Sequence, residues 1–317
     1  MQFRTINDLM GSVRNNLHKI PRDIDIVVGI PRSGLLAGCA VALAINKPFV
    51  ELNNFLEGRI ELGFSRRLGS LAPGAGRHLS ALIVDDSIHT GTAMTAVRQA
   101  VDAKHLPHHI FYAAIYGVHA SHPETDIVLE LCSSPRIFEW NVMNQAALDF
   151  CCVDLDGVLC VDPAIEENDD GPRYLDFLQN ARPLNLPRYP IHSIVTARLE
   201  RYRAQTEMWL KRNEVQYKNL IMLDVPSAEE RRRLRMHGKF KAQIYANQQD
   251  CLLFIESEIK QAKEIHKISG KPVLAYRDMK YISQMNSAKF LIELRAVVGR
   301  ILPQGTKLLI KSALKLS

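Results

Sequence analysis

Residues 82–93 read Leu-Ile-Val-Asp-Asp-Ser-Ile-His-Thr-Gly-Thr-Ala, and this stretch is the most informative part of the chain. Its apolar start is too short for a helix and predicts a buried strand of a parallel sheet. A helical pattern follows from Thr92 to Val101, so the Thr-Gly-Thr segment is predicted to be the turn between strand and helix. A strand, a tight turn and a helix in this order are typical of an α/β domain.

The predicted turn and the acidic pair before it have the residue types of a sugar-phosphate site. A helix start presents several backbone N–H groups to one anion, and Gly91 permits the tight backbone that this requires. The hydroxyls of Thr90 and Thr92 add donors, and the carboxylates of Asp85 and Asp86 can accept hydrogen bonds from sugar hydroxyls. The combination predicts a ribose 5-phosphate site; the alternative is an ordinary strand–turn–helix with a chance acidic pair.

The same twelve residues resemble the phosphoribosyl-pyrophosphate (PRPP) loop of type I phosphoribosyltransferases. The resemblance implies that the acidic pair holds the ribose hydroxyls and that the Thr-Gly-Thr turn holds the 5-phosphate. Many relatives carry an acid at position 89, where this chain has His89. Histidine titrates near neutral pH, so His89 is a candidate base for a hydroxyl acceptor; a solvent-facing loop histidine is the alternative.

An upstream segment resembles the pyrophosphate loop of the same family. A strand predicted over 24–30 leads into Pro31-Arg32-Ser33-Gly34, and an apolar helix is predicted over 35–45. The resemblance implies that Arg32 and the backbone around Ser33 and Gly34 face the departing pyrophosphate. Residues 57–78, rich in arginine and glycine, are predicted to be either a cationic lid or a solvated loop.

A second acidic motif lies in Cys151-Cys152-Val153-Asp154-Leu155-Asp156-Gly157-Val158. Two carboxyls at alternating positions just past a strand can face one site, where Asp154 attacks phosphorus and Asp156 moves the proton. The spacing resembles the first motif of haloacid-dehalogenase-type phosphatases. Calcium-binding loops and plain turns share this pattern, so the motif alone leaves those alternatives open.

Further pieces of that phosphatase pattern follow in order. The resemblance implies that Thr196 donates to the phosphoryl group, that Arg198 also binds substrate, and that Lys241 neutralises the phosphate. It also implies a Mg²⁺ cofactor held by acids after a strand over 252–255. Relatives commonly show aspartates at that last position, whereas this chain has glutamates, of which the first is the better candidate. The expected metal ligands are Asp154, Asp156, Glu256 and Glu258.

The length of 317 residues allows two domains of ordinary size. Strands and helices alternate in both, which predicts an α/β fold with two parallel-sheet domains. We expect a phosphoribosyltransferase domain over 1–147, a haloacid-dehalogenase-like phosphatase domain with a small cap over 148–282, and a basic amphipathic helical tail over 283–317. About forty residues separate Asp156 from Thr196, which leaves little room for a large cap.

Charge and targeting signals bound the compartment and the partners. Of the formal charge of +6, the tail accounts for +5 through six Lys or Arg and one Glu, so the predicted catalytic region is nearly neutral. This argues against a general nucleic-acid binder. The start of the chain lacks a signal-peptide pattern, which predicts a cytoplasmic protein. The tail is expected to touch an anionic membrane surface, or else to dock on the protein itself or on a second copy.

The joint presence of the two motifs narrows the reaction. A phosphoribosyl transfer leaves a 5-phosphate, and the second domain has the residues to remove it. The arrangement resembles bacterial two-domain ribofuranosyltransferases of polysaccharide assembly, which implies PRPP as donor and a glycan hydroxyl, on a membrane lipid, as acceptor. Trp140 is expected to stack on the acceptor or to lie in the core. The alternatives are a nucleobase phosphoribosyltransferase fused to a nucleotidase, and a PRPP sensor regulating a phosphatase. The oligomeric state stays open.

Overall fold

The computed structural model describes most of the chain. The predicted lid falls largely in the gap before His78, and the predicted basic tail from 284 onward lies outside the described residues. The expectations for these two segments therefore stay predictions. The structure describes residues 1–60, 78–168, 170–234 and 236–283.

The chain folds into two compact units. The first comprises Met1–Leu148 and Pro187–Tyr189, and the second comprises Asp149–Leu186 with the described residues from Pro190 onward. Both are mixed α/β with largely parallel sheets. No helix in the described parts of the chain is both long enough and apolar enough to cross a bilayer.

The first unit is built on a five-stranded parallel sheet with the strand order β3-β2-β4-β5-β6, and a separate parallel pair joins β1 to β7. Its elements are β1 (Gln2–Arg4), α1 (Ile6–Asn15), β2 (Ile26–Gly29), α2 (Gly34–Ile45), β3 (Phe49–Glu51), α3 (Leu52–Leu56), β4 (Ser80–Ile88), α4 (Thr92–Ala103), β5 (His109–Gly117), β6 (Ile127–Leu131) and β7 (Arg136–Phe138).

Both faces of this sheet are buried, which is why its strands are continuous apolar runs. Val27 and Leu82 point to one face and pack in a cluster with residues of α1 and α2. Val28 and Ile83, one position along, belong to a second cluster that includes Met94 of α4. The period-two alternation of a strand therefore supplies two cores, one for each layer of helices.

The second unit has a six-stranded sheet with the strand order β10-β9-β8-β11-β12-β13, parallel except for β13. Cys152 and Phe254 of its central strands pack against Ala242 and Ala262 of two helices. Its elements are β8 (Cys151–Val153), α5 (Pro172–Asn180), β9 (Ile191–Leu199), α6 (Arg203–Arg212), β10 (Tyr217–Leu223), α7 (Ala228–Arg233), α8 (Met236–Asn247), β11 (Leu253–Glu256), α9 (Ile259–Ser269), β12 (Val273–Ala275) and β13 (Lys280–Ile282).

Two strands run further than their apolar residues predict. β4 continues through the acidic pair to Ile88, because its ladder with β5 is maintained as far as the pair Ile88–Gly117. β9 likewise continues past Val195 to Leu199, so that Thr196 and Arg198 lie within a strand and not after it. Backbone pairing with a neighbour extends these strands beyond the point where apolar patterning stops.

Candidate active sites

Each of the two large sheets has a topological switch point, and the two acidic motifs lie at these positions. In the first unit the chain leaves β2 toward one edge and β4 toward the other, so the reversal lies between β2 and β4. In the second unit the same reversal lies between β8 and β11. Clefts at the carboxyl ends of such strands are where open α/β sheets bind ligands. The topology therefore points to one candidate site in each unit.

In the first unit, the turn between β4 and α4 has the geometry of an anion cradle. Gly91 is the N-cap of α4 with φ of 81°, in the left-handed region that favours glycine. A Cβ at this position would lie 2.4 Å from Cε1 of His122, so a larger residue would also have to displace that side chain. Thr90 and Thr92 are exposed, and their hydroxyl oxygens are 3.0 Å apart. The free N–H groups of the α4 start thus face outward beside two hydroxyls.

The two aspartates of this site are held differently. Asp86 is buried, and its Oδ2 accepts a 2.8 Å hydrogen bond from the indole Nε1 of Trp140. Trp140 in turn stacks on Phe138 at a centroid distance of 4.7 Å. One face of the indole and its N–H are therefore already engaged. Trp140 is thus placed to position Asp86, and its expected stacking on an acceptor stays a prediction.

Asp85 is half-buried, and its Oδ1 accepts a 2.8 Å hydrogen bond from the Asp86 amide. Burial, the neighbouring charge of Asp86 and a side-chain hydrogen bond with it raise the pKa of Asp85 to about 7. Among the described residues neither carboxylate has a salt bridge. The pair is thus fixed by neutral donors and keeps acceptor capacity for hydroxyl groups.

The predicted pyrophosphate loop lies against the acidic pair. A Cβ on Gly34 would be 2.8 Å from the Val84 carbonyl oxygen and 3.0 Å from Oδ1 of Asp85, so only glycine permits this approach. The Pro31–Arg32 peptide is cis, and the Arg32 side chain is exposed, with Ser33 half-buried. The fold therefore brings the loops after β2 and β4 together, and the pyrophosphate-binding role of the first of them stays a prediction.

A cavity of about 200 Å³ runs along the β4–α4 turn. Its lining includes Asp85, the exposed His89 and the Thr-Gly-Thr turn. Arg136 of β7 also lines it and donates to the carbonyl oxygens of Ile88 and Cys132 at 3.0 and 2.9 Å. Sequence reasoning missed Arg136, because nothing in its local pattern places it at the end of β4.

In the second unit, Asp154 follows β8 directly and is buried at the switch point. Its amide donates to the Ile255 carbonyl at 2.9 Å, which continues the ladder between β8 and β11. Its Oδ2 accepts a 2.7 Å hydrogen bond from Lys241, which also donates to Glu256 at 2.8 Å. Burial and the Glu256 charge raise the pKa of Asp154, and Lys241 opposes this.

Asp156 is bound by a buried arginine. The Arg198 Nε lies 3.1 Å from both carboxylate oxygens, and one terminal nitrogen lies 2.6 Å from Oδ1. The Arg198 side chain is fully buried, with 0% exposed, whereas Asp156 lines the cavity. The Arg198 guanidinium therefore orients Asp156, and its expected substrate-binding role stays a prediction.

Thr196 is also placed differently from the expectation. The residue is buried, and its Oγ1 accepts a 3.2 Å hydrogen bond from the Arg198 amide. The next residue, Ala197, lines the cavity. Thr196 therefore lies inside β9 and not in a loop after it. Its expected donation to a phosphoryl group therefore stays a prediction.

The two glutamates after β11 differ in burial and in access to the cavity. Glu256 is fully buried: one oxygen accepts from Lys241, and the other accepts from the Ser257 amide at 2.9 Å and from its hydroxyl at 3.1 Å. Glu258, by contrast, lines the cavity. Within the described ranges, no group of three or more His, Cys, Asp or Glu side chains is arranged to hold a metal ion.

The donor set is nevertheless suited to Mg²⁺. Asp154, Asp156 and Glu258 supply carboxylate oxygens to one cavity of about 220 Å³. The buried group of Asp154, Glu256 and Lys241 has two acids and one base, so a nearby cation would offset its surplus negative charge. The chemistry of these ligands is that of a magnesium site, although their arrangement in the described residues is not; Mg²⁺ therefore stays a prediction, with Glu258 as the accessible glutamate.

The cavity of the second unit has a polar wall that sequence reasoning missed. Arg231 of α7 and His237 of α8 line it, with Asn168 and Tyr174 on the same wall. Burial and the charge of Arg231 lower the pKa of His237 to about 4, so this imidazole is neutral at pH 7. His237 stands four residues before Lys241 on one helix, which is the only local signal that could have indicated it.

Three of the solved structures similar to part of the chain are phosphoribosyltransferases. The xanthine-guanine-hypoxanthine enzyme of Helicobacter pylori is 15% identical and has a TM-score of 0.33, over 44% of this chain and 92% of that one. A purine phosphoribosyltransferase from Pyrococcus horikoshii is 16% identical with a TM-score of 0.29, over 44% and 92%. The adenine phosphoribosyltransferase of Saccharomyces cerevisiae is 18% identical with a TM-score of 0.26, over 40% and 77%.

No protein-family model and no curated protein matches the sequence. The structural likenesses are too weak, in identity and in TM-score, to carry an argument about activity. What can be concluded about function therefore depends on the geometry of the two sites.

Proposed function

We propose that this chain is a bifunctional ribosylating enzyme. The first unit transfers a 5-phosphoribosyl group from PRPP to a sugar hydroxyl of a glycan, and the second unit hydrolyses the 5-phosphate. One observation carries the proposal: a single chain has an acidic pair beside an N–H-rich turn at one switch point, and a buried aspartate paired with a lysine at the other. The first arrangement suits a phosphorylated pentose, and the second suits a phosphomonoester.

In the transfer step, Asp85 and Asp86 hold the ribose hydroxyls and the α4 start holds the 5-phosphate. The bond from C1 to the pyrophosphate oxygen breaks, and its electron pair leaves with pyrophosphate beside Arg32 and the backbone of Ser33 and Gly34. The acceptor oxygen forms the new bond to C1. Its proton passes to the exposed His89, which lines the same cavity.

In the hydrolysis step, a carboxylate oxygen of Asp154 attacks phosphorus and the bond to the ribose O5 breaks. The leaving alkoxide takes a proton from Asp156, which the buried Arg198 holds in place. Water then attacks the aspartyl phosphate, with Asp156 accepting its proton, and inorganic phosphate is released. Lys241 offsets the negative charge that builds up next to the nucleophile.

We include Mg²⁺ as a cofactor of the second site, where Asp154, Asp156 and Glu258 would hold it. When bound, the ion would draw negative charge from the phosphoryl oxygens. Glu256 is assigned a supporting role, because both of its oxygens are already engaged with Lys241 and Ser257.

The acceptor is proposed from the pairing of the two activities. A hydroxyl acceptor needs a base, which His89 can provide, and a cavity that ends in solvent can admit a large glycan. We further propose that residues 283–317, with six basic residues and one acid, bring the enzyme to an anionic membrane that carries a lipid-linked acceptor. Removal of residues 287–317 is expected to reduce co-sedimentation with anionic vesicles, and unchanged partitioning would contradict this part.

The test is product analysis with the full chain, PRPP, Mg²⁺ and lipid-linked or synthetic oligosaccharides. Mass spectrometry is expected to show an acceptor that has gained one pentose without phosphate, together with pyrophosphate and inorganic phosphate. An ultraviolet-absorbing nucleoside from PRPP and a free base would instead establish the nucleobase alternative. Intact PRPP with no pyrophosphate released from any acceptor would favour a PRPP sensor and overturn the proposal.

A further inference from the structure

Three buried cations, Arg198, Lys241 and Arg231, lie at the cavity of the second unit or next to a residue that lines it. Two of them are already paired with carboxylates. The guanidinium of Arg198 is paired with the Asp156 carboxylate through Nε and one terminal nitrogen, at distances of 2.6 to 3.1 Å. The ammonium of Lys241 lies between Asp154 and Glu256, 2.7 and 2.8 Å away. Neither is free to move onto an incoming anion without leaving a buried carboxylate uncompensated, which is costly.

Arg231 is the third cation, and it differs from the other two in having no carboxylate partner among the described residues. Arg231 is only 6% exposed and lines the cavity. One terminal nitrogen donates to the Ala197 carbonyl at 2.8 Å, and the other reaches Asn168 only at 3.5 Å. Its Nε is buried and has no hydrogen-bond partner among the described residues.

An unpaired N–H on a buried guanidinium is unfavourable unless a ligand supplies the acceptor. In the parts of the chain that the structure describes, no salt bridge neutralises Arg231. The Tyr174 hydroxyl interacts with this guanidinium, but burial raises its pKa to about 12, so it carries no charge at pH 7. The nearby His237 does not compete for an anion, since burial and the charge of Arg231 lower the pKa of this imidazole to about 4. The positive charge of Arg231 is thus available inside the cavity.

A phosphate dianion that approaches Asp154 meets a wall with four carboxylates, those of Asp154, Asp156, Asp162 and Glu258. Of these, Asp162 pairs with Arg277. Attraction from a guanidinium that is not already paired would offset part of the repulsion, and planar guanidinium groups match phosphate oxygens well.

We propose that Arg231 is the phosphate-binding residue of the second-unit cavity, and that its ligand is the phosphate group of a phosphomonoester. The inference rests on the proposed phosphatase function for the identity of the ligand, but its test does not require turnover. Each buried cation then has its own role. Arg198 orients Asp156, Lys241 offsets negative charge next to Asp154, and Arg231 binds the phosphate of the substrate.

The test is binding of inorganic phosphate to the full-length protein at pH 7, measured by isothermal titration calorimetry. Arg231→Gln is expected to weaken phosphate binding at least tenfold, and Arg231→Lys is expected to be intermediate. Arg232→Gln is the matched control, because it removes one charge from an exposed neighbour on α7 and is expected to leave the affinity unchanged. Circular dichroism melting establishes that each variant is folded.

A wild-type measurement covers the case in which Arg231→Gln does not fold. The Nε–H resonance of Arg231, identified by its loss in Arg231→Lys, is expected to shift in proportion to phosphate saturation. A resonance that stays fixed while phosphate binds would overturn the proposal. So would absence of phosphate binding by the wild type, an affinity of Arg231→Gln within twofold of it, or an equal loss in Arg232→Gln.

The same data separate this inference from the proposed function. If the wild type hydrolyses no phosphomonoester but binds phosphate through Arg231, the anion site stands and the phosphatase assignment fails. If hydrolysis proceeds but is insensitive to Arg231→Gln, the phosphatase assignment stands and the role of Arg231 fails.

Discussion

The two candidate sites share a position in their sheets but differ in how their acids are held. In the first unit, Asp86 is held by the neutral indole of Trp140, and Asp85 by a backbone amide. In the second unit, Asp154 and Asp156 are each held by a buried cation. Neutral donors hold the first pair without adding a charge, whereas in the second unit Lys241 opposes the rise in the pKa of Asp154 that burial causes, and Arg198 fixes the orientation of Asp156. Two acidic pairs at equivalent places in their sheets therefore have different surroundings, and the proposed binding and reactive roles follow from that difference.

The largest expected effect comes from removing the nucleophile of the second site. Asp154→Asn is expected to lower phosphomonoester hydrolysis by about 10⁴-fold or more, because the amide cannot form the covalent intermediate. Transfer in the first unit is expected to continue, so that the product accumulates as its 5-phosphate. Mass analysis of the ribosylated acceptor provides the measurement. Dephosphorylated product from this variant would contradict the proposal that Asp154 of the second site removes the 5-phosphate.

The reciprocal change removes the acidic pair of the first site. Asp85→Asn combined with Asp86→Asn is expected to slow pyrophosphate release from PRPP by about 10³-fold, since two charged acceptors for the ribose hydroxyls are lost. Hydrolysis of a supplied phosphoribosyl glycan is the internal control and is expected to persist. Equal loss of both activities would show that the two sites do not act separately.

The buried cation of the second site is expected to matter for stability as well. Arg198→Met leaves Asp156 next to a buried apolar side chain and is expected to lower the free energy of unfolding by about 3–5 kcal/mol. Adding Asp156→Asn is expected to recover part of this loss, since the uncompensated charge is then gone. Urea denaturation followed by circular dichroism is the measurement.

The control for this change is Arg201→Met, which breaks a more exposed pair with Asp170 and is expected to cost less than about 1 kcal/mol. A loss from Arg201→Met as large as that from Arg198→Met would contradict the argument, because burial would then not explain the difference.

The pH dependence of transfer tests whether Asp85 must be ionised for the reaction. Since the pKa of Asp85 is about 7, its ionised fraction rises with pH through neutrality. Pyrophosphate release is therefore expected to be roughly tenfold slower at pH 6 than at pH 8 where the ionised form is required. Asp86→Asn removes one cause of the raised pKa and is expected to move the inflection to lower pH. An unmoved inflection would assign the titration to another group.

The smallest expected effect comes from the indole that positions Asp86. Trp140→Phe keeps the stacking on Phe138 but removes the N–H donor, and is expected to slow transfer by about tenfold. Trp209→Phe is the control, since that indole donates to the Ala181 carbonyl in the second unit. If both substitutions slow transfer equally, the bond to Asp86 has no specific role.

Local patterns were sufficient to identify the strands and turns of both sites. Apolar runs that end in acids predicted β4 and β8, and the Thr-Gly-Thr turn predicted the start of α4 at Thr92. These features depend on residues adjacent in the chain, so sequence alone contains their physical cause. The ends of β4 and β9 were less predictable, because pairing with neighbouring strands extends them past the apolar residues.

By itself, the sequence determined the alternation of strands and helices, the two acidic motifs and the glycine that the first turn requires at Gly91. Tertiary structure alone decided which side chains meet. Trp140 donates to Asp86, and Arg198 donates to Asp156. Glu258 and Arg231 line the second-unit cavity, whereas Glu256 does not. The physical reason is that a side chain's charge state and role depend on groups distant in sequence. Only folding sets their distance and burial.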